Sequence, residues 1–173
     1  MQKAKLKDKI ITTIHPQKLV SFSGHLWFYT KYAAIVSKTL KKPLVQKFLN
    51  WIIKRETIEK NVVKTVKVMV FPYRKKNGKG LAGRYKSKGE IILYPKRLSF
   101  FRNKMRKCKK QKVHFYIRSR AMATLIHEFL HAKYLDDEDK VRELTKRYLS
   151  IFIRHQYKQN SNANSILETL FTQ

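Results

Sequence analysis

The chain has 173 residues, of which 40 are Lys or Arg and 11 are Asp or Glu, and its formal net charge is +29. Hydrophobic residues make up 43% of it, which suffices for a sizeable core and excludes a disordered basic tail. The lone cysteine, Cys108, excludes an internal disulfide and a thiolate metal cluster. So large a positive charge predicts a polyanionic partner, nucleic acid before anionic lipid.

The N-terminus has Lys within its short apolar stretch and no small-residue cleavage site, so we expect no signal peptide. Because no run of 18 apolar residues occurs, we also expect no membrane span. These features predict an intracellular, cytoplasmic protein. We expect one domain over residues 1–158, followed by a polar linker and a short C-terminal segment over residues 159–173.

The first 60 residues are predicted to be mainly helical. Isoleucines near residue 10 predict a short helix or strand, and apolar residues recur at helical spacing over residues 25–41. Pro43 then begins a second helix that ends near residue 56. We interpret the aromatic run Trp27-Phe28-Tyr29 as part of the core, with a stacking platform or a membrane belt as the alternatives.

The hydrophobic period then changes from helical spacing to alternation. Residues 63–71 predict a half-buried strand, Asn77-Gly78 a turn, and residues 81–85 and 90–94 two further strands. The predicted fold is therefore α+β, with N-terminal helices, a small antiparallel three-stranded sheet, an active-site helix and a C-terminal helix. Its catalytic core would span about residues 63–155.

The most informative motif is His127-Glu128-Phe129-Leu130-His131, which matches H-E-x-x-H within a helical pattern. Histidines four residues apart share one face of a helix, so both can bind one Zn²⁺. Glu128 lies beside the metal and can act as a general base toward a water molecule that the ion activates. The alternative interpretation is a pair of half-buried core histidines with a chance glutamate.

A catalytic zinc site usually has three protein ligands, so two histidines leave it incomplete. An acidic run, residues 136–139, follows the motif and also suits the N-terminus of the next helix. We expect Glu138 to be the third ligand because it lies on the inward face of that helix, with Asp137 as the second choice and Glu143 as a more distant one.

The densest positive charge lies in residues 96–120, where aromatic residues are interleaved with it. This pattern favours binding to a phosphate backbone with some base stacking, and the alternative is a solvated helix face or loop. The predicted nucleic-acid-binding residues are Arg102, Lys104, Arg106, Lys107, Lys109, Lys110 and Lys112.

With its motif on a helix, a preceding strand and a following acidic helix start, the chain resembles the zincin metallopeptidases. Its small size resembles the minimal gluzincin-like and SprT-like proteases. The resemblance covers about residues 63–155 and implies that substrate pairs as an added strand with the strand before the active-site helix. Carried over, that role falls on Ile91, Ile92, Leu93 and Tyr94.

Together these features predict a zinc-dependent protease that hydrolyses peptide bonds in protein or peptide substrates on or near nucleic acid. His127, His131 and Glu138 would bind Zn²⁺, and Glu128 would be the catalytic base. The alternative is a non-catalytic nucleic-acid-binding protein on a zincin-like scaffold.

Overall fold

A computed structural model describes residues 5–59, 61–75, 77–156 and 162–171 of this α+β chain. Its strands are β1 (Ile10–Thr13), β2 (Thr65–Met69), β3 (Tyr73–Arg74), β4 (Gly80–Leu81), β5 (Gly83–Lys86) and β6 (Glu90–Leu93). Its helices are α1 (Gln17–Phe22), α2 (Leu26–Leu40), α3 (Pro43–Arg55), α4 (Leu98–Lys104), α5 (Lys110–Tyr134), α6 (Glu138–Gln156) and α7 (Asn162–Phe171). No helix of this described part is both long and apolar enough to cross a membrane.

The main sheet is mixed, so the predicted antiparallel three-stranded sheet is wrong. Within the described residues it has four strands in the order β1-β2-β6-β5. β1 pairs parallel with β2 and β2 parallel with β6, whereas β5 pairs antiparallel with β6. Parallel pairs need long connections, and helices α1 to α3 lie between β1 and β2 in the chain.

The predicted strand over residues 81–85 is divided between two sheets. Gly80–Leu81 pairs with Tyr73–Arg74 in a small separate hairpin, and only Gly83–Lys86 joins the main sheet. Strand β6 can therefore pair with β2, which precedes that hairpin in the chain. Patterning located the strands but could not show which neighbour each would pair with.

The predicted helices over residues 25–41, 43–56 and after His131 are confirmed as α2, α3 and α6. The metal-motif helix, α5, begins at Lys110 and so includes part of the basic segment. At the C-terminus, α7 spans Asn162–Phe171, so residues 162–165 of the predicted linker are helical. Predicted linker residues 159–161 lie outside the described part of the chain.

Helix α5 is the centre of the core. It packs against β5, β6, α2 and α6, and Leu125, Ile126 and Leu130 have no exposed surface. A helix that is covered on several sides needs apolar residues around much of its circumference. This enclosure holds the His127–His131 face in a fixed position relative to the sheet edge and to α6.

A buried carboxylate ties the end of α3 to α5 and α6. Glu56, which is 7% exposed, accepts hydrogen bonds from the hydroxyls of Tyr134, at 2.6 Å, and Tyr148. Burial alone would raise the pKa of Glu56, but these two hydrogen bonds and the nearby Lys133 charge outweigh it and hold the pKa below its ordinary value. We call Glu56, Tyr134 and Tyr148 the Glu56 clamp.

Replacing Glu56 with Gln should lower the free energy of unfolding by about 1–3 kcal/mol at neutral pH, because the phenols lose a charged acceptor. Since the folded pKa of Glu56 is depressed, this contribution is present above its ordinary pKa of 4.5 and is lost as the pH falls through the folded value. Urea unfolding at several pH values measures it. The exposed Glu59→Gln is the control, and a wild-type–Glu56→Gln difference that does not shrink in acid contradicts the clamp.

Candidate metal centre and the edge of the sheet

The two motif histidines lie on one face at the C-terminal end of α5, with their rings turned toward each other. Their Nε2 atoms are 3.1 Å apart. The side chains of His127 and His131 are only 24% and 20% exposed. Burial lowers the pKa of His127 to about 4, with opposing influence from Glu138. His127 is therefore neutral at physiological pH, which is the state a metal ligand requires.

The orientation of His131 is fixed by the chain reversal that ends α5. Its Nδ1 lies 2.5 Å from the carbonyl oxygen of Leu135. A ring nitrogen facing a carbonyl oxygen must donate, so Nδ1 carries the proton and the Nε2 lone pair faces His127 and Glu138. Leu135 reaches this position with φ 48° and ψ −115°, a conformation that costs a branched residue on the order of 1–3 kcal/mol.

The same reversal brings Glu138, the first residue of α6, beside the histidines. Its Oε2 lies 3.3 Å from His131 Nε2, and its Oε1 lies 3.6 Å from His127 Nε2. The Nε of Arg142 donates to Oε1 at 2.8 Å and so orients the carboxylate. Within the described residues, His127, His131 and Glu138 form a group that could hold a metal ion.

The two alternative third ligands have other roles. The Oδ1 of Asp137 accepts a hydrogen bond from the backbone N–H of Lys140 at 3.1 Å, which caps the start of α6. Glu143 is exposed, and its carboxylate lies 3.8 Å from Lys140 Nζ. Neither belongs to the metal-binding group.

The spacing of the three ligand atoms suits one small ion. Ligands held tetrahedrally at about 2.1 Å from zinc lie about 3.4 Å from one another. The observed separations among His127, His131 and Glu138 are 3.1, 3.3 and 3.6 Å. Two imidazoles and a carboxylate are also a donor set that zinc accepts, so the residues present fit the metal.

Glu128 follows the ligand His127 directly on α5, and its side chain is enclosed between α5 and β5. It is 5% exposed, and burial raises its pKa to about 7, against the lowering effects of His131 and of a hydrogen bond from the Tyr85 backbone N–H. A Cβ added to Gly83 would lie 2.7 Å from Glu128 Oε1 and 2.5 Å from Thr124 Cγ2. Only glycine at residue 83 leaves room for this carboxylate.

The predicted substrate-binding strand does not have a free edge, so that assignment is corrected. β6 pairs with β2 on one side and with β5 on the other, and Ile91, Ile92 and Leu93 are buried. The main chain of Tyr94 is also engaged: its N–H donates to Ala82 O, and its carbonyl accepts from Arg120 Nη1, both at 2.8 Å. The edge strand beside α5 is β5.

The register determines which groups of β5 face outward. Tyr94 donates to Ala82 O, and hydrogen-bonded pairs alternate along an antiparallel ladder. Arg84 and Lys86 therefore bond inward to β6, whereas the main-chain groups of Gly83 and Tyr85 face away from β6. This direction agrees with the Tyr85 N–H hydrogen bond to Glu128.

The predicted basic segment is exposed, but its aromatic residues are not. Of the predicted nucleic-acid-binding residues, Lys112 is half-buried, and the exposed ones are Arg102, Lys104, Arg106, Lys107, Lys109 and Lys110. Phe101, Phe115 and Tyr116 are at most 8% exposed, and Phe100 stacks on Tyr116 at 5.1 Å. Phe101, Phe115 and Tyr116 are core residues and so cannot stack on bases, whereas Phe100 is half-buried.

Four residues of the site were missed by sequence reasoning: Gly83, Tyr85, Leu135 and Arg142. A glycine in a predicted strand is a signal for close approach of another group, so Gly83 could have been found. Arg142 lies four residues after Glu138 on one helix, which is ion-pair spacing. Tyr85 contacts Glu128 through its backbone N–H, and Leu135 contacts His131 through its carbonyl oxygen. Because both contacts are made by the main chain, the residue types do not predict them.

Comparisons with protein-family models, with curated proteins and with solved structures gave no match to this chain. The functional interpretation therefore depends on the geometry of the chain itself.

Replacing Gly83 with Ala should lower the free energy of unfolding by about 1–3 kcal/mol, because the new methyl group overlaps Glu128 and Thr124. Gly80→Ala is the matched control, since nothing lies within 4 Å of a Cβ there. Urea denaturation of both variants measures the difference. Equal stability of the two variants would contradict the close packing of β5 on Glu128.

Proposed function

We propose that the protein is a zinc-dependent peptidase that acts on proteins at or near nucleic acid. The observation that carries the proposal is the convergence of His127, His131 and Glu138 within 3.6 Å of one another, with the buried Glu128 beside them. The zinc would supply electrostatic stabilisation of charge developing on the substrate oxygen and make a water molecule easier to deprotonate. Residues of the chain would carry out the proton transfers and bind the substrate.

Glu128 is the proton carrier of this proposal. It is buried, adjacent in sequence to the ligand His127, and held by the backbone N–H of Tyr85. In this position its carboxylate accepts the proton of the attacking water and later returns it to the leaving amine. Gly83 and Thr124 confine the side chain, so that the carboxylate does not need to be reoriented for each proton transfer.

Substrate would add to the outer edge of β5. The groups that face outward there are the main chain of Gly83 and the carbonyl of Tyr85, next to the proton carrier Glu128. An extended peptide can bind to such an edge through main-chain hydrogen bonds, largely independently of its sequence.

The association with nucleic acid is supported by the net charge of +29 and by the exposed basic residues between α4 and α5. A surface that binds phosphates releases counterions, so its affinity falls steeply with salt. The same charge also supports the second candidate function, a non-catalytic nucleic-acid-binding protein in which the metal group has a purely structural role.

Purified wild-type protein should bind close to one zinc ion per chain. His127→Ala and Glu138→Gln should each weaken zinc binding by at least about tenfold, because each removes one of three ligands. Asp137→Asn and Glu143→Gln are the matched controls and should retain wild-type affinity. Competition with a chromophoric chelator measures all five proteins, and loss of binding in a control instead of in Glu138→Gln would reassign the third ligand.

Glu128→Gln should bind zinc as tightly as wild type but cleave an unstructured protein such as casein at least about a hundredfold more slowly. The amide fills the same space but cannot accept the proton. Glu143→Gln provides the charge-matched control for activity. Undiminished cleavage by Glu128→Gln would place the chemistry elsewhere, and zinc binding without cleavage by the wild type would favour the non-catalytic alternative.

A further inference from the structure

Helix α2 and the first half of α5 have no acidic side chains of their own. Neither α2 nor the part of α5 before Glu128 contains an Asp or Glu, and residues 91–127 contain none either. In contrast, Glu128, the run 136–139 and Glu143 concentrate negative charge at the other end of α5. A ligand of negative charge is therefore attracted to the N-terminal half of α5 and to the helix packed beside it, α2.

An exposed tryptophan lies on this end. Trp27 is 73% exposed, although its neighbour Tyr29 is buried in the core. Lys31, one turn later on α2, holds its Nζ 4.4 Å from the centre of the Trp27 ring. The cation covers one face of the indole, and the large exposed fraction leaves surface for another planar group.

On the neighbouring helix α5, His114 lies close enough to Lys31 for the lysine charge to act on it. Lys110, His114 and Arg118 are four residues apart and so share one helix face. Helices α2 and α5 pack against each other, and Arg120 Nη1 of α5 donates to the Tyr32 hydroxyl of α2 at 3.4 Å. Burial lowers the pKa of His114, and the charges of Arg118, Lys110 and Lys31 lower it further, as expected if all three lie around it.

We propose that Trp27, Lys31, Lys110, His114 and Arg118, here called the α2–α5 surface, bind single-stranded nucleic acid. A base stacks on Trp27, and the basic side chains bind the flanking phosphates. This inference rests on the nucleic-acid association of the proposed function and assigns it to one surface. It does not depend on zinc or on peptide hydrolysis.

A single strand fits this surface better than a duplex or a membrane. Stacking on an indole requires an unpaired base, since bases in a duplex already stack on one another. Insertion into a bilayer requires a continuous apolar helix face. The exposed neighbours of Trp27 along α2 include Lys31 and Lys38, which interrupt any such face.

The first test uses Trp27 as a reporter. Trp51→Phe leaves Trp27 as the sole tryptophan of the chain, and Trp51 already stacks on Phe48, so phenylalanine suits that position. Titration with an oligothymidylate in the presence of a chelator should quench the Trp27 fluorescence. Measured by the fluorescence anisotropy of a dye-labelled oligothymidylate, the affinity should fall by about fivefold or more in Trp27→Ala, whereas Trp51→Phe should leave it unchanged.

The second test separates this surface from total charge. The triple variant Lys31→Ala, Lys110→Ala, Arg118→Ala should reduce the slope of log affinity against log salt by about 2. The matched control, Lys47→Ala, Lys88→Ala, Arg147→Ala, likewise removes two lysines and one arginine, all of them exposed, from α3, the β5–β6 turn and α6. The control should change the slope by much less.

Each contrary outcome has a distinct meaning. Wild-type affinity that does not vary with salt removes the nucleic-acid association as a whole. Steep salt dependence with equal losses in both triple variants overturns only the α2–α5 surface. Preference for duplex over single strand, or Trp27 fluorescence that responds to phosphatidylserine vesicles but not to the oligonucleotide, also overturns it.

Discussion

The proposed metal centre depends on one hydrogen bond, which runs from His131 Nδ1 to the carbonyl of Leu135. This bond leaves the Nε2 lone pair of His131 facing His127. It exists because the chain reverses at Leu135 with a positive φ, and that reversal also starts α6 three residues later at Glu138. The reversal at Leu135 therefore fixes the orientation of the His131 ring and places the Glu138 carboxylate beside it. The Glu56 clamp holds Tyr134, next to the reversal, against the rest of the fold.

The two ends of helix α5 lie in surroundings of opposite charge. Its 25 residues span roughly 38 Å, at about 1.5 Å per residue. The first half carries basic residues without intervening acids, and the second half carries the histidines and faces the acidic start of α6. Because the core fixes α5 along most of its length, a strand bound near its start would keep a constant distance from the sheet edge at its end. This arrangement would suit the proposed peptidase, whose substrates would themselves be bound to nucleic acid.

Sequence reasoning succeeded where a local pattern determines the structure. The spacing of His127 and His131 and the inward position of Glu138 both follow from helix periodicity, and the three side chains converge. It failed where partners are distant. Ile91 to Leu93 were predicted to offer a free strand edge to the substrate. Their strand instead lies between β2 and β5, and β5 forms the edge of the sheet. Likewise, Phe101 and Tyr116 are interleaved with basic residues in sequence, yet their side chains are buried in the core. Composition alone does not show whether such an aromatic residue is buried or exposed.

The central claim is that His127 and His131 bind one zinc ion together with the Glu138 carboxylate. X-ray absorption at the zinc edge of the loaded protein tests it most directly, because it reports the ligand types and their distances. We expect scattering from two imidazoles, with all nitrogen and oxygen ligands at about 2.0–2.1 Å, and the loss of one imidazole contribution in His131→Ala. A zinc–sulfur distance of about 2.3 Å, which only Cys108 or a methionine could supply, or a spectrum without imidazole scattering, would contradict it.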